Sequence, residues 1–202
     1  MKLILTRHGI TVENTEGRVQ GQQHGTLHEK GIEQAQKLGH RFKEDKFDII
    51  YSSDLKRASD TAYQIHLHHP EVPIVFTEKL RERDFGLLTG STKATFGFDN
   101  YQPFPAIWVD NPETLKKYKI ETKPDMLKRA KDFIDEIYDK HKNDTVVVVS
   151  HGTFSKALTS VITGKDYSEV EMLSNTGVTI FEIDEYRNHK IILHNCTKHL
   201  EL

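Results

Sequence analysis

Apolar positions along the chain fall into two spacings. Residues 2 to 6 form a short apolar run that ends in a polar turn, and Phe47 to Ser52, Ile74 to Phe76 and Val146 to Val149 repeat the pattern. Runs this short, bounded by turn residues, predict buried strands. Between them the spacing becomes helical. Ile32, Ala35, Leu38 and Phe42 share one face, as do Leu55, Ala58, Ala62 and Ile65, the latter behind Asp54 as a candidate cap. Leu127, Ala130, Ile134, Ile137 and His141 mark a third helix that Pro124 is suited to begin. Phe154, Ala157, Leu158, Val161 and Ile162 mark a fourth, starting just after Gly152. Val178 to Ile183 and Lys190 to Leu193 close the chain as strands, with a hairpin around Tyr186, Arg187 and Asn188. Strands alternating with helices predict an α/β three-layer sandwich with a mostly parallel central sheet.

The pattern breaks between Phe96 and Glu121. This stretch holds Phe96, Phe98, Tyr101, Phe104, Trp108 and Tyr118 together with three prolines, and predicts an irregular excursion with one short helix. No repeat, low-complexity tract or linker interrupts the rest. The expectation is one domain over residues 1–202 with a cap at about 88–122, whose aromatic residues suit packing and a lid equally.

A length of 202 residues fits one domain, and 36% hydrophobic with 29% charged residues fits a water-soluble one. The net charge of −2 gives no footprint for nucleic acid or a membrane surface. A single cysteine, Cys196, excludes an intrachain disulfide and suits a reducing compartment. No run reaches membrane-spanning length, and the apolar run after Met1 is too short for a signal peptide. The chain is expected to be cytoplasmic; its oligomeric state is open.

In open α/β sheets, ligands bind beyond the carboxyl ends of the strands. Arg7-His8-Gly9 follows the first predicted strand, Ser52 to Arg57 the second, Leu80 to Gly86 the third, and Ser150-His151-Gly152 the strand at Val146 to Val149. Two histidines, two arginines and a glutamate thus stand at four strand ends. A neutral imidazole nitrogen is a competent nucleophile near neutral pH without a metal. Arginine forks grip a phosphoryl group's spread charge, and a carboxylic acid protonates a poor leaving oxygen.

In this order, the motifs with Asn14 between them resemble the histidine phosphatase superfamily, which includes the cofactor-dependent phosphoglycerate mutases. The resemblance covers nearly the whole chain. It implies that His8 becomes a phosphohistidine, its other ring nitrogen held by the backbone near Gly9. It implies that Arg7, Arg57 and His151 hold the phosphoryl group, that Glu82 moves the proton, and that neither metal nor cofactor is used. Asn14, Gln20, Gly21 and Lys93 are implied contacts for phosphate or substrate, joined by Gly152 and Thr153 at the start of the helix there. Arg18, Gln22 and Gln23 match the loop that recognises substrate in relatives. The chain departs from the common pattern at Ile10, His24 and His28, which leaves substrate identity open.

The competing roles are plain ones. Arg57 could pair with Asp54 or Asp60, and Glu82 with Arg81 or Arg83. The His66, His68, His69 cluster invites a metal reading, but it sits at a helix end with no second ligand set. The expected activity is hydrolysis of small phosphorylated metabolites, with sugar phosphates as a candidate class. A phosphoglycerate mutase and a non-catalytic phospho-ligand-binding regulator are the alternatives. Against the mutase, the interval from Glu82 to His151 contains no arginine pair, and Arg129 falls on the polar side of its helix.

Overall fold

The computed structural model describes residues 1–100 and 102–201. Its strands are β1 (Lys2–Arg7), β2 (Ile49–Ser53), β3 (Ile74–Thr77), β4 (Thr145–Ser150), β5 (Val178–Ile183) and β6 (His189–Cys196). Its helices are α1 (Val12–Thr15), α2 (Glu29–Arg41), α3 (Lys56–His66), α4 (Ala106–Val109), α5 (Pro112–Tyr118), α6 (Lys123–Lys140) and α7 (Gly152–Thr163). The six strands form one sheet in the order β3-β2-β4-β1-β5-β6. β3, β2, β4 and β1 run parallel, while β5 is antiparallel to both β1 and β6.

Alternation along the strands divides the core. Leu3, Leu5, Val146 and Val148 face α6 and α7, packing on Met126, Phe133, Ile137, Phe154 and Leu158. Ile4, Ile50, Val147 and Val149 face α2 and α3, packing on Leu38, Phe42, Ala62 and Ile65. Central strands covered on both faces are read from such unbroken β-branched runs. The expected sandwich is therefore present. Among the described residues no helix is long and apolar enough to cross a membrane.

Several local expectations need correction. Asp54 does not cap α3: Leu55 occupies the cap position with no side-chain bond, because the Asp54 carboxylate is engaged by Arg81. His28 caps α2 instead of the hydroxyl residue usual there, its Nδ1 accepting from the Lys30 amide. Ile32 is exposed, since Gly31 turns inward against the Ile10 carbonyl. α6 starts at Lys123, one residue before Pro124, with Thr122 as its cap.

The stretch expected to be irregular is more ordered than its sequence pattern. It carries α4 and α5 and a turn of 3-10 helix at Lys93–Phe96. Phe96, Phe104, Trp108 and Tyr118 pack with Val19, Leu88, Val109 and Ile120 into a third apolar cluster. Tyr101, counted among these aromatics, lies outside the described residues.

Candidate active site

Register brings the two histidines together. Arg7 pairs with Ser150 across β1 and β4, so His8 and His151 leave adjacent parallel strands side by side. The His8 amide donates to the Ser150 carbonyl at 3.0 Å. The ring centroids are 5.2 Å apart. Both imidazoles are buried, at 3% and 0% exposure.

The His8 ring is oriented at its Nδ1, which lies 2.7 Å from the Gly9 carbonyl oxygen. A carbonyl only accepts, so Nδ1 carries the proton and the neutral ring's lone pair falls on Nε2. Arg57 Nε donates to that Nε2 at 3.3 Å. Burial, then Arg57 and Arg7, hold the His8 pKa well below its ordinary 6.5. Burial, with Arg57, His8, Arg7 and Arg129 adding repulsion, lowers His151 in the same way. Both rings are therefore held neutral.

Gly9 and Gly31 make this seat possible by close approach. A Cβ on Gly9 would lie 2.4 Å from the Gly31 carbonyl oxygen, and one on Gly31 would lie 1.9 Å from that of Ile10. The first turn of α2 thus rests directly on the chain that carries His8.

Arg57 projects from the first turn of α3 and is 1% exposed, so neither Asp54 nor Asp60 holds it. Its fork is turned largely on the loop before α2. Nη2 donates to the Gly21 carbonyl at 2.9 Å, and Nη1 donates to the carbonyls of Gln23 and of His24. Gly21, with φ +49°, takes a backbone shape suited to glycine. Arg7 spends one donor on the Leu173 carbonyl, at 2.9 Å. Gly152 leaves room for that guanidinium, since a Cβ there would meet Arg7 Cζ at 3.2 Å.

Arg7 Nε, both ring nitrogens of His151, and Gln20 Oε1 are buried without a hydrogen-bond partner among the described residues. Orphaned buried donors are costly, of the order of 1–3 kcal/mol each. An anion held between the two rings and Arg7 would accept from Arg7 Nε and from the protonated ring nitrogen of His151.

Neither flanking guanidinium pairs with Glu82. Arg81 is bound to Asp54 and Glu78, and Arg83 to Asp110. The Glu82 carboxylate instead accepts backbone amides: Arg83 at 2.8 Å and Phe154 at 3.0 Å on Oε1, and Thr153 at 3.0 Å on Oε2. The amides expected to face phosphate at the start of α7 are thus occupied, because the carboxylate reaches that positive helix end first.

The remaining candidates are less committed to the centre. Asn14 Oδ1 accepts the Thr11 amide in a capping box on α1. Lys93 Nζ donates to the Asn100 carbonyl at 2.8 Å inside the excursion. Gln22 donates to the Glu82 carbonyl at 3.2 Å, and Arg18 to that of Gly90 at 2.7 Å. Among the histidine cluster, His69 donates to the Phe42 carbonyl at 2.8 Å, and its ring centroid is 4.2 Å from Phe47's.

Two residues escaped sequence reasoning. Asn175 Nδ2 donates to the His8 carbonyl at 2.9 Å. Nothing in the segment before β5 signals this, since its backbone turns at Thr176 with φ 55°. Arg129 was placed in solvent but lies under the Glu82 segment. The signal was present in Met126 and Phe133, which widen the buried stripe of α6 toward it.

A family model described as Histidine phosphatase superfamily (branch 1) matches residues 3–197. The chain is 31% identical to phosphoserine phosphatase 1 of Hydrogenobacter thermophilus, over 99% of this chain and 94% of that protein. YhfR of Bacillus stearothermophilus superposes with a TM-score of 0.85 at 29% identity, over 98% of each chain. A phosphoserine phosphatase of Entamoeba histolytica, solved with 3-phosphoglyceric acid, gives 0.81 at 28% identity, again over 98% of each chain.

Proposed function

The chain belongs to the histidine phosphatase superfamily, branch 1, and on that premise we propose that it works through a phosphohistidine on His8. It is a phosphoric monoester hydrolase of small phosphorylated metabolites. The observation that supports His8 as the nucleophile is its locked ring: Nδ1 on the Gly9 carbonyl, and the unprotonated Nε2 facing Arg57 Nε with the His151 ring alongside.

The reaction runs in two displacements. His8 Nε2 forms a bond to phosphorus as the bond to the ester oxygen breaks, and Glu82 delivers a proton to that oxygen, releasing the alcohol. Water then attacks the phosphohistidine, Glu82 takes its proton, the nitrogen–phosphorus bond breaks, and inorganic phosphate leaves. Arg7 and His151 supply donors to the phosphoryl oxygens, and Arg57 adds one as its fork turns from the loop carbonyls. His151, held neutral by burial and the neighbouring cations, gains a proton beside the substrate dianion. Asn14, Gln20, Gly21 and Lys93 border the entrance, with residues 88–122 as a cap on a single domain, and the protein works in the cytoplasm.

Water is the acceptor in this reading. Arg83 is tied to Asp110 and Arg129 to Glu121, so neither is free to clamp the second anionic group a mutase must retain.

O-phosphoserine, suggested by the relatives' names, and sugar phosphates are the first substrates to test. Phosphate release should occur from at least one alkyl ester, unchanged by EDTA, and should drop at least about a thousandfold in His8→Ala. Full turnover in His8→Ala, or loss with EDTA restored by a divalent ion, would refute the mechanism.

A further inference from the structure

Glu82 must hold its carboxyl at a fixed distance from the leaving oxygen, yet it stands on chain outside the sheet, which β4 reaches through the Ser150 hydroxyl, donating to the Leu80 carbonyl at 2.9 Å. β3 ends at Thr77, one 3-10 turn at Glu78–Leu80 follows, and the main chain then leaves the sheet. One side chain from α6 meets its carbonyls. Arg129 Nη1 donates to the carbonyls of Lys79 at 3.0 Å and Arg81 at 2.7 Å, and Nη2 donates to that of Glu82 at 3.4 Å.

Glu121 closes the other side of the guanidinium. Its carboxylate accepts Arg129 Nε at 3.0 Å and Nη2 at 2.8 Å, and also the Asp84 amide at 3.0 Å. The Glu121 amide donates to the Asp84 carbonyl at 2.8 Å, and its carbonyl accepts from Arg83 Nε at 2.8 Å. The guanidinium carbon also lies 4.0 Å from the ring centroid of Phe154, the residue whose amide holds Glu82 Oε1. One planar group therefore touches both the main chain that carries Glu82 and the helix turn that seats its carboxylate.

We propose that Arg129 is a positioning residue for Glu82, acting through the carbonyls of Lys79, Arg81 and Glu82 and through Phe154, and that Glu121 keeps Arg129 in register. The proposal rests on the reading of Glu82 as proton donor. A five-donor fork spans this set of acceptors, and a lysine point charge does not. Small misplacement of a catalytic group is felt mainly in the step that uses it.

The test uses kcat/KM, which ends at the first phosphorus–oxygen cleavage, for the best alkyl ester found above and for p-nitrophenyl phosphate. Nitrophenolate leaves without a proton, so only the alkyl ester reports the acid. Arg129→Lys should lose about tenfold on the alkyl ester and less than about twofold on the nitrophenyl ester. Glu121→Gln should follow in the same direction with a smaller loss, and carries the test should Arg129→Lys not fold. In a Glu82→Gln background, itself lower on the alkyl ester alone, neither change should add a further loss. Equal losses on both esters, or losses that multiply with Glu82→Gln, overturn the proposal. Glu82→Gln losing equally on both esters is a separate result: it removes the proton-donor reading, and the positioning role with it.

Discussion

A neutral imidazole has one donor nitrogen and one acceptor, and at His8 the Gly9 carbonyl decides which is which. The same burial keeps both rings neutral, with Arg7 and Arg57 adding repulsion toward a third positive charge. A pKa below the ordinary 6.5 means that each ring stays neutral as pH falls through that value, and gains a proton only further down. Ring signals in proton–nitrogen NMR spectra, assigned by their absence in His8→Ala and His151→Ala, should therefore show no change at pH 6.5. A titration midpoint at or above 6.5 for either ring would contradict the electrostatic account. Residue types were the most legible part of the site. Arg7, His8, Arg57, Glu82 and His151 each follow a predicted strand, and the fold gathers them. The direction of a guanidinium or carboxylate was not legible. Arg57 faces loop carbonyls and Glu82 faces the amides of α7 because those partners are brought in from distant parts of the chain.

Among the elements, β1 and β4 were readable because burial on both faces demands an unbroken apolar run, and theirs is short and bounded by turn residues. α6 was readable in existence but not in rotation. A stripe drawn through Leu127 and Ala130 misses Met126 and Phe133, and so puts Arg129 on the wrong side. The start of α2 was hidden for a different reason: its inward residue is Gly31, which carries no hydropathy. That contact predicts a mutational effect. Gly9→Ala places a methyl 2.4 Å from the Gly31 carbonyl, backbone against backbone, and α2 must move. The expected result is a loss of about 2 kcal/mol in urea unfolding together with reduced turnover, because the displaced Gly9 carbonyl also orients His8. Wild-type stability and turnover in Gly9→Ala would show that the glycine contact is slack.

At the scale of the whole molecule, the sheet order places β1 and β4 at the centre, and crossing from one to the other spans most of the chain. Sequence spacing predicts the strands but not their neighbours, so the pairing of Arg7 with Ser150 is a product of the complete fold. The aromatic excursion shows the same limit. Its clusters around Trp108 and Val19 join residues far apart in sequence, and no local period announces them. What the whole fold achieves is a buried pair of imidazoles, with the unprotonated His8 Nε2 facing Arg57 beside an Arg7 Nε and a His151 ring that lack hydrogen-bond partners among the described residues. The most direct test of that claim is to mix enzyme with phosphorus-labelled substrate, quench in base within the first turnovers, and map the label by mass spectrometry. The account predicts an acid-labile, base-stable phosphate on His8, absent in His8→Ala. A label elsewhere, or steady turnover with no labelled protein at any quench time, would contradict it.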